Sequence, residues 1–459
     1  MGTSVPMDLF PEPPMPTMPT TAELIAAYRQ RACPRMLRHA TTLPFYRQHW
    51  GLPGGRTPES LHALPLTTKR DIPRLSAHVM TPELLGAVVV SSGTTGRPVA
   101  RVYSQSDLER WTIEAAHLGN DHVGALIVDL EENGHGAATP PRRAGHVNLM
   151  LPIVEEEALV RAHSVIREWI QDHGSAFPLQ ALLGAPWSLS TFAAYLRHLG
   201  EDPASLGLVQ VLSYADRLPG YMRDELTSWY RAPLRDSYSM SELRGVRADR
   251  CPKCDRFHLQ HTAVPEFLGL ESRASIEEGP ATLVLTELLP DGADTPLIRY
   301  ETGDIVWRHR NDCPEGVEAF ETLGRMRASP RHPGTDALLV PDRLIGDALA
   351  VSGLVAREAV PLWLGSAFAE PILEPLHQWS LDGGSDSMVL QIVAQRARTS
   401  VGTAVHAARV IDDLRETWSP LDAAVSSGAI RVEVSFVDAV EYAVRPKWRP
   451  RAPHLPPAD

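Results

Sequence analysis

Seven consecutive residues, Ser91-Ser-Gly-Thr-Thr-Gly-Arg97, carry four hydroxyls, two glycines and a guanidinium, and no apolar side chain. Such a stretch can wrap polyphosphate. Glycine lets the backbone turn sharply and come close to a ligand. Successive N–H groups and hydroxyls supply donors, and an arginine clamps charge. The plain alternative is a polar hairpin, because Ala87–Val90 and Val99–Tyr103 on either side both read as strands. It is not a Walker loop: G-x-x-x-x-G-K-[ST] is missing and no helix follows directly. A second group is Cys251-Pro-Lys-Cys254, a Cys-x2-Cys knuckle, with His258 and His261 after it and Cys313 well downstream. Three thiolates and one imidazole suit a closed tetrahedral zinc site, with no position left for catalysis. The alternative is reduced cysteines and a loop histidine. We favour His258 over His261 as the fourth ligand. Cys33 has no partner in the pattern and reads as a packed thiol.

These groups need a frame. The chain has 459 residues, 43% of them hydrophobic and 22% charged, as expected of a globular protein with two or three domains. Its formal net charge of −12 speaks against nucleic acid as a partner. A bound polyanion would need a local positive site. No apolar run approaches a membrane span, and the N-terminus has no signal-peptide pattern, so we expect a cytoplasmic protein without a membrane partner. Four cysteines in this length do not make a disulfide scaffold.

Residues 1–20, rich in Pro, Met and Thr, read as a flexible arm. Thr21 to about His39 has helical spacing. Leu43–Trp50 and Leu64–Ile72 read as surface helix starts tied by proline. Ser106–Glu109 is a capping box opening a helix. Strands at 125–130, 147–151, 179–183 and 206–212 alternate with helices at 155–170, 188–199 and 221–229. That order predicts a layered α/β domain with a mostly parallel sheet. Ligands of such sheets sit at the carboxyl ends of strands, where the Gly/Thr loop, Gly184–Trp187 and Ser213–Tyr214 fall. From Ala281 the pattern turns to short alternating strands at 282–287, 296–300 and 304–308, which predicts a β-subdomain. Gly324–Pro341 reads as a hinge. The remainder, 326–459, reads as a smaller α+β domain with strands at 388–394 and 430–436 and a helix at 404–418. The expected division is therefore an arm (1–20), a large domain (21–325) and a small C-terminal domain (326–459).

Four further stretches accompany the Gly/Thr loop in order: Leu64–Ile72, Asp236-Ser-Tyr-Ser-Met-Ser-Glu242, Pro296–Asp304 and Gly324-Arg325. Together they resemble the adenylate-forming superfamily of acyl-CoA ligases, luciferase and peptide-synthetase adenylation domains. Within it the phenylacetate-CoA ligase branch is nearest. Leu-Pro-Leu-Thr-Thr-Lys69, the Tyr103–Asp107 pair and Tyr-x-Met-Ser-Glu242 point there. The resemblance spans about residues 43–325 and is weak beyond.

The resemblance implies roles. Ser92, Gly93, Thr94, Thr95 and Gly96 would hold ATP phosphates, with Arg97 where the family usually has lysine. Tyr238 would pack against adenine, with Ser239 beside it at a position that is normally glycine. Glu242 would hold Mg²⁺, Asp304 would accept both ribose hydroxyls, and Arg325 would contact the ribose. Lys447, in Arg445-Pro-Lys-Trp448, is the late candidate for the C-terminal catalytic lysine, and a solvated basic tail is the other reading. His135 could reach an acyl carboxylate or lie on the surface. Trp187 and Tyr214 could line an aromatic acyl pocket or pack the core. Some relatives in this branch carry a similar zinc cluster just after the Ser-Glu motif.

The implied activity is adenylation of a small carboxylic acid, aromatic by branch, followed by transfer to the thiol of CoA. A carrier protein or amine as acceptor stays open, as do diazotisation of an aryl amine with nitrite, a catalytically inactive binding protein, and a homodimeric state.

Overall fold

Local patterning sets the elements, and long-range pairing joins most of the strands into one sheet. The computed structural model describes residues 21–51, 57–90, 99–108, 125–130, 146–151, 153, 156–175, 178–243, 245–288, 294–310, 312–332, 334–351, 377–384, 387–395 and 403–437. Three helices come first: α1 (Ala22–Ala40), α2 (Pro44–His49) and α3 (Ile72–Ser76). Thr21 caps α1 through its hydroxyl, and proline stands in the first turn of α2 and of α3, where no N–H partner is required. Then β1 (Leu85–Val90) and β2 (Ala100–Ser104) pair antiparallel, with Val90 opposite Ala100. The alternating region follows: β3 (Ala125–Asp129), β4 (His146–Met150), α4 (Glu156–His173), β5 (Leu179–Gly184), α5 (Pro186–His198), β6 (Gln210–Ser213), α6 (Gly220–Tyr230) and β7 (Leu234–Ser239). Next come β8 (Arg247–Arg250), β9 (Phe257–Leu259), β10 (Ala263–Gly269), β11 (Gly279–Glu287), β12 (Tyr300–His309) and β13 (Ala319–Arg325). The last part holds α7 (Asp342–Val351), β14 (His377–Gly384), β15 (Ser387–Gln395), α8 (Thr403–Thr417), α9 (Ser419–Ser426) and β16 (Ile430–Val437).

Eleven strands form one mixed sheet in the order β10-β11-β12-β13-β9-β8-β7-β6-β5-β3-β4. From β7 to β4 neighbouring strands are parallel; from β7 to β10 they are antiparallel. The seam is β7. Its first half, Leu234–Asp236, pairs parallel with β6, and its second half, Ser237–Ser239, pairs antiparallel with β8. The antiparallel strands expected as a β-subdomain are present and are joined to the parallel half through β7. Short alternating strands specify a half-buried sheet but not whose edge they join. Pro296–Arg299 precedes β12 and is not itself strand.

Three apolar cores hold the layers. One packs α4, α5 and α6 on the parallel half, around Leu182, Leu189, Phe192 and Leu226. A second packs α1–α3 on the antiparallel half, around Tyr46, Ile72, Phe267 and Phe320. The two proline-tied segments are thus core, not surface: Leu43, Tyr46 and Ile72 are at most 2% exposed. Tyr46 shows why, since its hydroxyl donates to the Pro296 carbonyl at 2.6 Å and accepts Ile298 N–H at 3.0 Å. The third core joins α7, α8, α9, β15 and β16 to Ile305 of β12 and Leu323 of β13. The segment after Arg325 therefore shares its core with the large sheet. No helix of the described residues is long and apolar enough to cross a membrane.

Candidate active site

The seam strand ends in Tyr238 and Ser239, and β12 brings Asp304 beside them. A bulge aims that acid: three residues, Thr302–Asp304, stand against Leu283 of β11, and Gly303 takes φ +75°. Tyr238 O–H donates to Asp304 Oδ2 at 2.6 Å, and Arg325 Nε lies 2.6 Å from Oδ1. Arg325 faces Asp304 directly across the β12–β13 ladder, so register alone makes that pair. The Tyr238 ring meets Phe320 edge-on at 5.8 Å. Burial pushes the Asp304 carboxyl above its ordinary range, opposed by Arg325 and the Tyr238 hydroxyl. Two carboxylate oxygens offer about four lone-pair sites, more than Tyr238, Arg325 and the Thr302 hydroxyl use, so Asp304 keeps acceptor capacity. These groups line a solvent-open cleft with Asp236, Ser239, Phe257 and Arg343.

Glu242 sits on the turn after β7. Lys69 Nζ is 3.6 Å from its Oε1. Lys69 arrives because Thr67 bridges Tyr300, donating its N–H to Arg299 O and accepting Glu301 N–H, both at 2.9 Å. The Asp71 carboxylate accepts from Thr68 N–H and hydroxyl and fixes the turn carrying Lys69. Burial lowers the Lys69 ammonium, Glu242 opposes this, and Arg325 and Arg327 add to the lowering. Sequence reading placed no chemistry on Lys69. The Leu-Pro-Leu-Thr-Thr-Lys segment was the signal, but its partner lies far along the chain.

The Glu242 main chain is held from β2. Its carbonyl accepts from Tyr103 O–H at 3.1 Å and from the Arg101 guanidinium. Arg101 is itself buried: Nη2 donates to Glu287 Oε2 and to Thr295 O, each at 2.9 Å, and its charge lies 4.4 Å over the Tyr103 ring. Burial raises the Glu287 carboxyl and Arg101 opposes it. The strand that leaves the Gly/Thr loop is therefore bolted to the turn that carries Glu242.

At the hinge, Gly324 has φ +135°, and a Cβ there would collide with the Asp342 carboxylate. That carboxylate accepts Arg325 N–H at 3.1 Å and Ser329 O–H at 3.3 Å. Across the cleft, Arg217 forms a bidentate pair with Asp347, and Arg343 pairs with Asp216.

No family model matches the chain. Over 347 residues it is 24% identical to the phenylacetate-coenzyme A ligase of Thermus thermophilus, covering 72% of this chain and 74% of that protein. Among solved structures, 2-hydroxyisobutyryl-CoA ligase in its postadenylation state with 2-HIB-AMP superposes with TM-score 0.62 at 16% identity, over 95% of this chain and 92% of the other. A benzoate CoA ligase from Burkholderia xenovorans LB400 gives 0.52 at 11% identity, over 82% and 68%. The fold is that of the adenylate-forming ligases. The resemblance read from the ordered motifs is borne out.

On this ligase fold, the structure brings together Tyr238, Ser239, Asp304 and Arg325, with Glu242 on the turn that follows. Ser92, Gly93, Thr94, Thr95, Gly96, Arg97, His135 and Lys447 lie outside the described residues. Trp187 is packed in the core of the parallel half at 5% exposure. Tyr214, at the end of β6, donates to both oxygens of Asp129 at 2.7 Å.

The cysteine knuckle assembles as its spacing suggested. One ligand atom from each of Cys251, Cys254, His258 and Cys313 lies within 4.8 Å of every other. The Cys251 and Cys313 sulfurs are 3.8 Å apart, the separation of two sulfurs at about 2.3 Å from a tetrahedral zinc. His258 Nε2 faces Cys254 Sγ at 3.1 Å while Nδ1 meets the Glu318 carbonyl at 2.5 Å. That backing fixes the ring as in metal-bound histidines. Gly316 is required there, because a Cβ would strike the His258 ring. His261 points elsewhere: it is 2% exposed, edge-on to Tyr28, with its pKa lowered to about 4 by burial and by Arg29. The four donors fit zinc.

Proposed function

We propose that this protein is an ATP-dependent acid–CoA ligase. The observation that carries the reading is the Tyr238–Asp304–Arg325 constellation at the seam of the sheet, with the Lys69–Glu242 pair on the next turn. In the first step a substrate carboxylate attacks the α-phosphorus of ATP in line. Pyrophosphate leaves and a mixed acyl-phosphate anhydride forms. In the second step the CoA thiol loses its proton and attacks the acyl carbon, and AMP departs with the electron pair of the broken C–O bond.

Catalysis of this kind is mainly positioning and charge stabilisation. Asp304 accepts the ribose hydroxyls on its spare lone pairs, and Arg325 holds that carboxylate in place. Tyr238 walls the base and Ser239 narrows the cleft beside it. Glu242 would hold Mg²⁺, which neutralises charge developing on the phosphates. Lys69 balances Glu242 from the opposite side. Ser92–Gly96 and Arg97 would hold the ATP phosphates, and Lys447 would serve the adenylation step. The Cys251–Cys254–His258–Cys313 cluster would hold a structural zinc. The preferred acid is aromatic, which similarity to a phenylacetate ligase supports.

The test is pyrophosphate release from ATP and Mg²⁺ with a panel of aromatic and aliphatic acids, with and without CoA, and with nitrite plus an aryl amine in a separate arm. An acyl-CoA product from an aromatic acid is expected. Turnover confined to the nitrite arm, or no turnover with any acid, would overturn the proposal.

A further inference from the structure

Arg250 stands between the cleft and the cysteine knuckle and touches both. It closes β8, the last residue before Cys251. Its Nε donates to Asp236 Oδ2 at 3.1 Å. Its Nη1 donates to the Asp255 carbonyl at 2.6 Å. Its guanidinium carbon lies 4.6 Å over the Phe257 ring. Asp236 and Phe257 both line the cleft, whereas Asp255 follows Cys254 directly. One planar fork thus ties the turn that carries two sulfurs to two walls of the nucleotide site. A guanidinium suits this task because its donors are rigidly arranged and it stacks on aromatic faces.

The far end of the strut is held by the knuckle loop and by Arg223. Cys251 N–H donates to Arg256 O at 2.8 Å, and Asp255 N–H to Cys251 O at 2.9 Å. Asp255 has φ +56° and is gripped by Arg223 of α6 through both carboxylate oxygens. A metal drawing Cys251, Cys254, His258 and Cys313 to one point fixes the loop between β8 and β9, and with it the carbonyl that Arg250 uses. At the near end, Asp236 is 2% exposed at its side chain, so its carboxylate depends on Arg250 for a fixed counter-charge.

We propose that Arg250 is a positioning residue that makes nucleotide affinity depend on occupancy of the knuckle metal. The inference rests on the nucleotide reading of the cleft. It predicts a zinc site that acts on ATP binding without contacting ATP.

The experiment is a coupling cycle on the full chain, in thiol reductant to keep Cys251 and Cys313 from oxidising. Wild type, Arg250→Gln and Arg250→Lys are compared zinc-loaded and after chelation, with zinc content measured and ATP titrated calorimetrically. Chelation should weaken ATP binding to wild type by about tenfold, the scale of one charge-assisted hydrogen bond. Zinc-loaded Arg250→Gln should keep its metal and show the same loss, and chelation should then add no more than about twofold, the margin of independent effects. Arg250→Lys should recover part of the affinity. Chelation that weakens Arg250→Gln as much as wild type would route the effect along β9 through His258 and Phe257 and overturn the proposal. So would chelation without effect on wild type. If chelated protein unfolds, the zinc-loaded comparison decides: wild-type affinity in Arg250→Gln refutes the strut. If zinc-loaded wild type binds no ATP, the nucleotide reading fails separately. The strut is then judged by hydrogen exchange across 234–239, which chelation should speed in wild type but not in Arg250→Gln; equal acceleration in both would refute it.

Discussion

The Tyr238–Asp304 cleft and the cysteine knuckle are neighbours on the same sheet, built by opposite rules. In the knuckle every donor converges on one point, and the groups behind the donors are committed: His258 Nδ1 to Glu318 O, Cys251 N–H to Arg256 O. In the cleft the groups are only partly satisfied. Asp304 keeps acceptor capacity, Arg325 is 41% exposed at its side chain, and Lys69 and Glu242 stand at 3.6 Å, beyond hydrogen-bond contact. A closed donor set suits a structural ion. An open polar set suits a ligand that arrives and leaves.

That contrast can be broken from the cleft side first. Asp304→Ala should abolish measurable ATP binding, a loss on the order of 100-fold or more for a buried charged acceptor. Near-normal affinity by calorimetry would remove the ribose role. Glu242→Gln should lower kcat by about 100-fold at saturating Mg²⁺ with a smaller change in ATP KM, the pattern of a group that acts on developing charge. A change in KM alone would contradict it. On the knuckle side, purified protein should carry about one zinc per chain, and Gly316→Ala should lose it by displacing His258. Metal-free protein with unchanged thermal stability would refute the site.

A further expectation concerns the pH dependence of stability. Burial pushes Asp236 up to about 6 from an ordinary 3.8, with Arg250 opposing. A raised carboxyl pKa favours the protonated folded state, so this contribution is full below about 3.8 and is lost as pH rises through about 6. Asp236→Asn should therefore flatten the fall in stability between those values. The change is on the order of 3 kcal/mol at most. Parallel stability curves for wild type and variant would contradict the assignment.

The two regions also differ in how much the sequence revealed. The knuckle was legible because three of its four donors lie within eight residues, from Cys251 to His258. Tyr238, Asp304 and Arg325 were legible as ordered motifs, and cross-strand register then fixed two of them. Lys69 was not, because its partner Glu242 lies far along the chain and the Thr67–Tyr300 bridge brings Lys69 to it. Arg101 and Glu287 were hidden as charges inside apolar strands, where alternation predicts only a face. Arg250 was hidden because its three contacts lie on three different elements. The pairing across the β7 seam stayed hidden for the same reason: pattern gives strands, and tertiary packing decides which of them pair.

The central claim is that the cleft makes an acyl-adenylate and passes it to a thiol. Its most direct measurement is a two-stage mass-spectrometric trap. Enzyme, ATP, Mg²⁺ and an aromatic acid are mixed without CoA, the bound product is identified, and CoA is then added. The account predicts acyl-AMP in the first stage and its conversion to acyl-CoA with release of AMP in the second. ATP left intact in the first stage across the acid panel, or an adenylate that CoA does not consume, would contradict it.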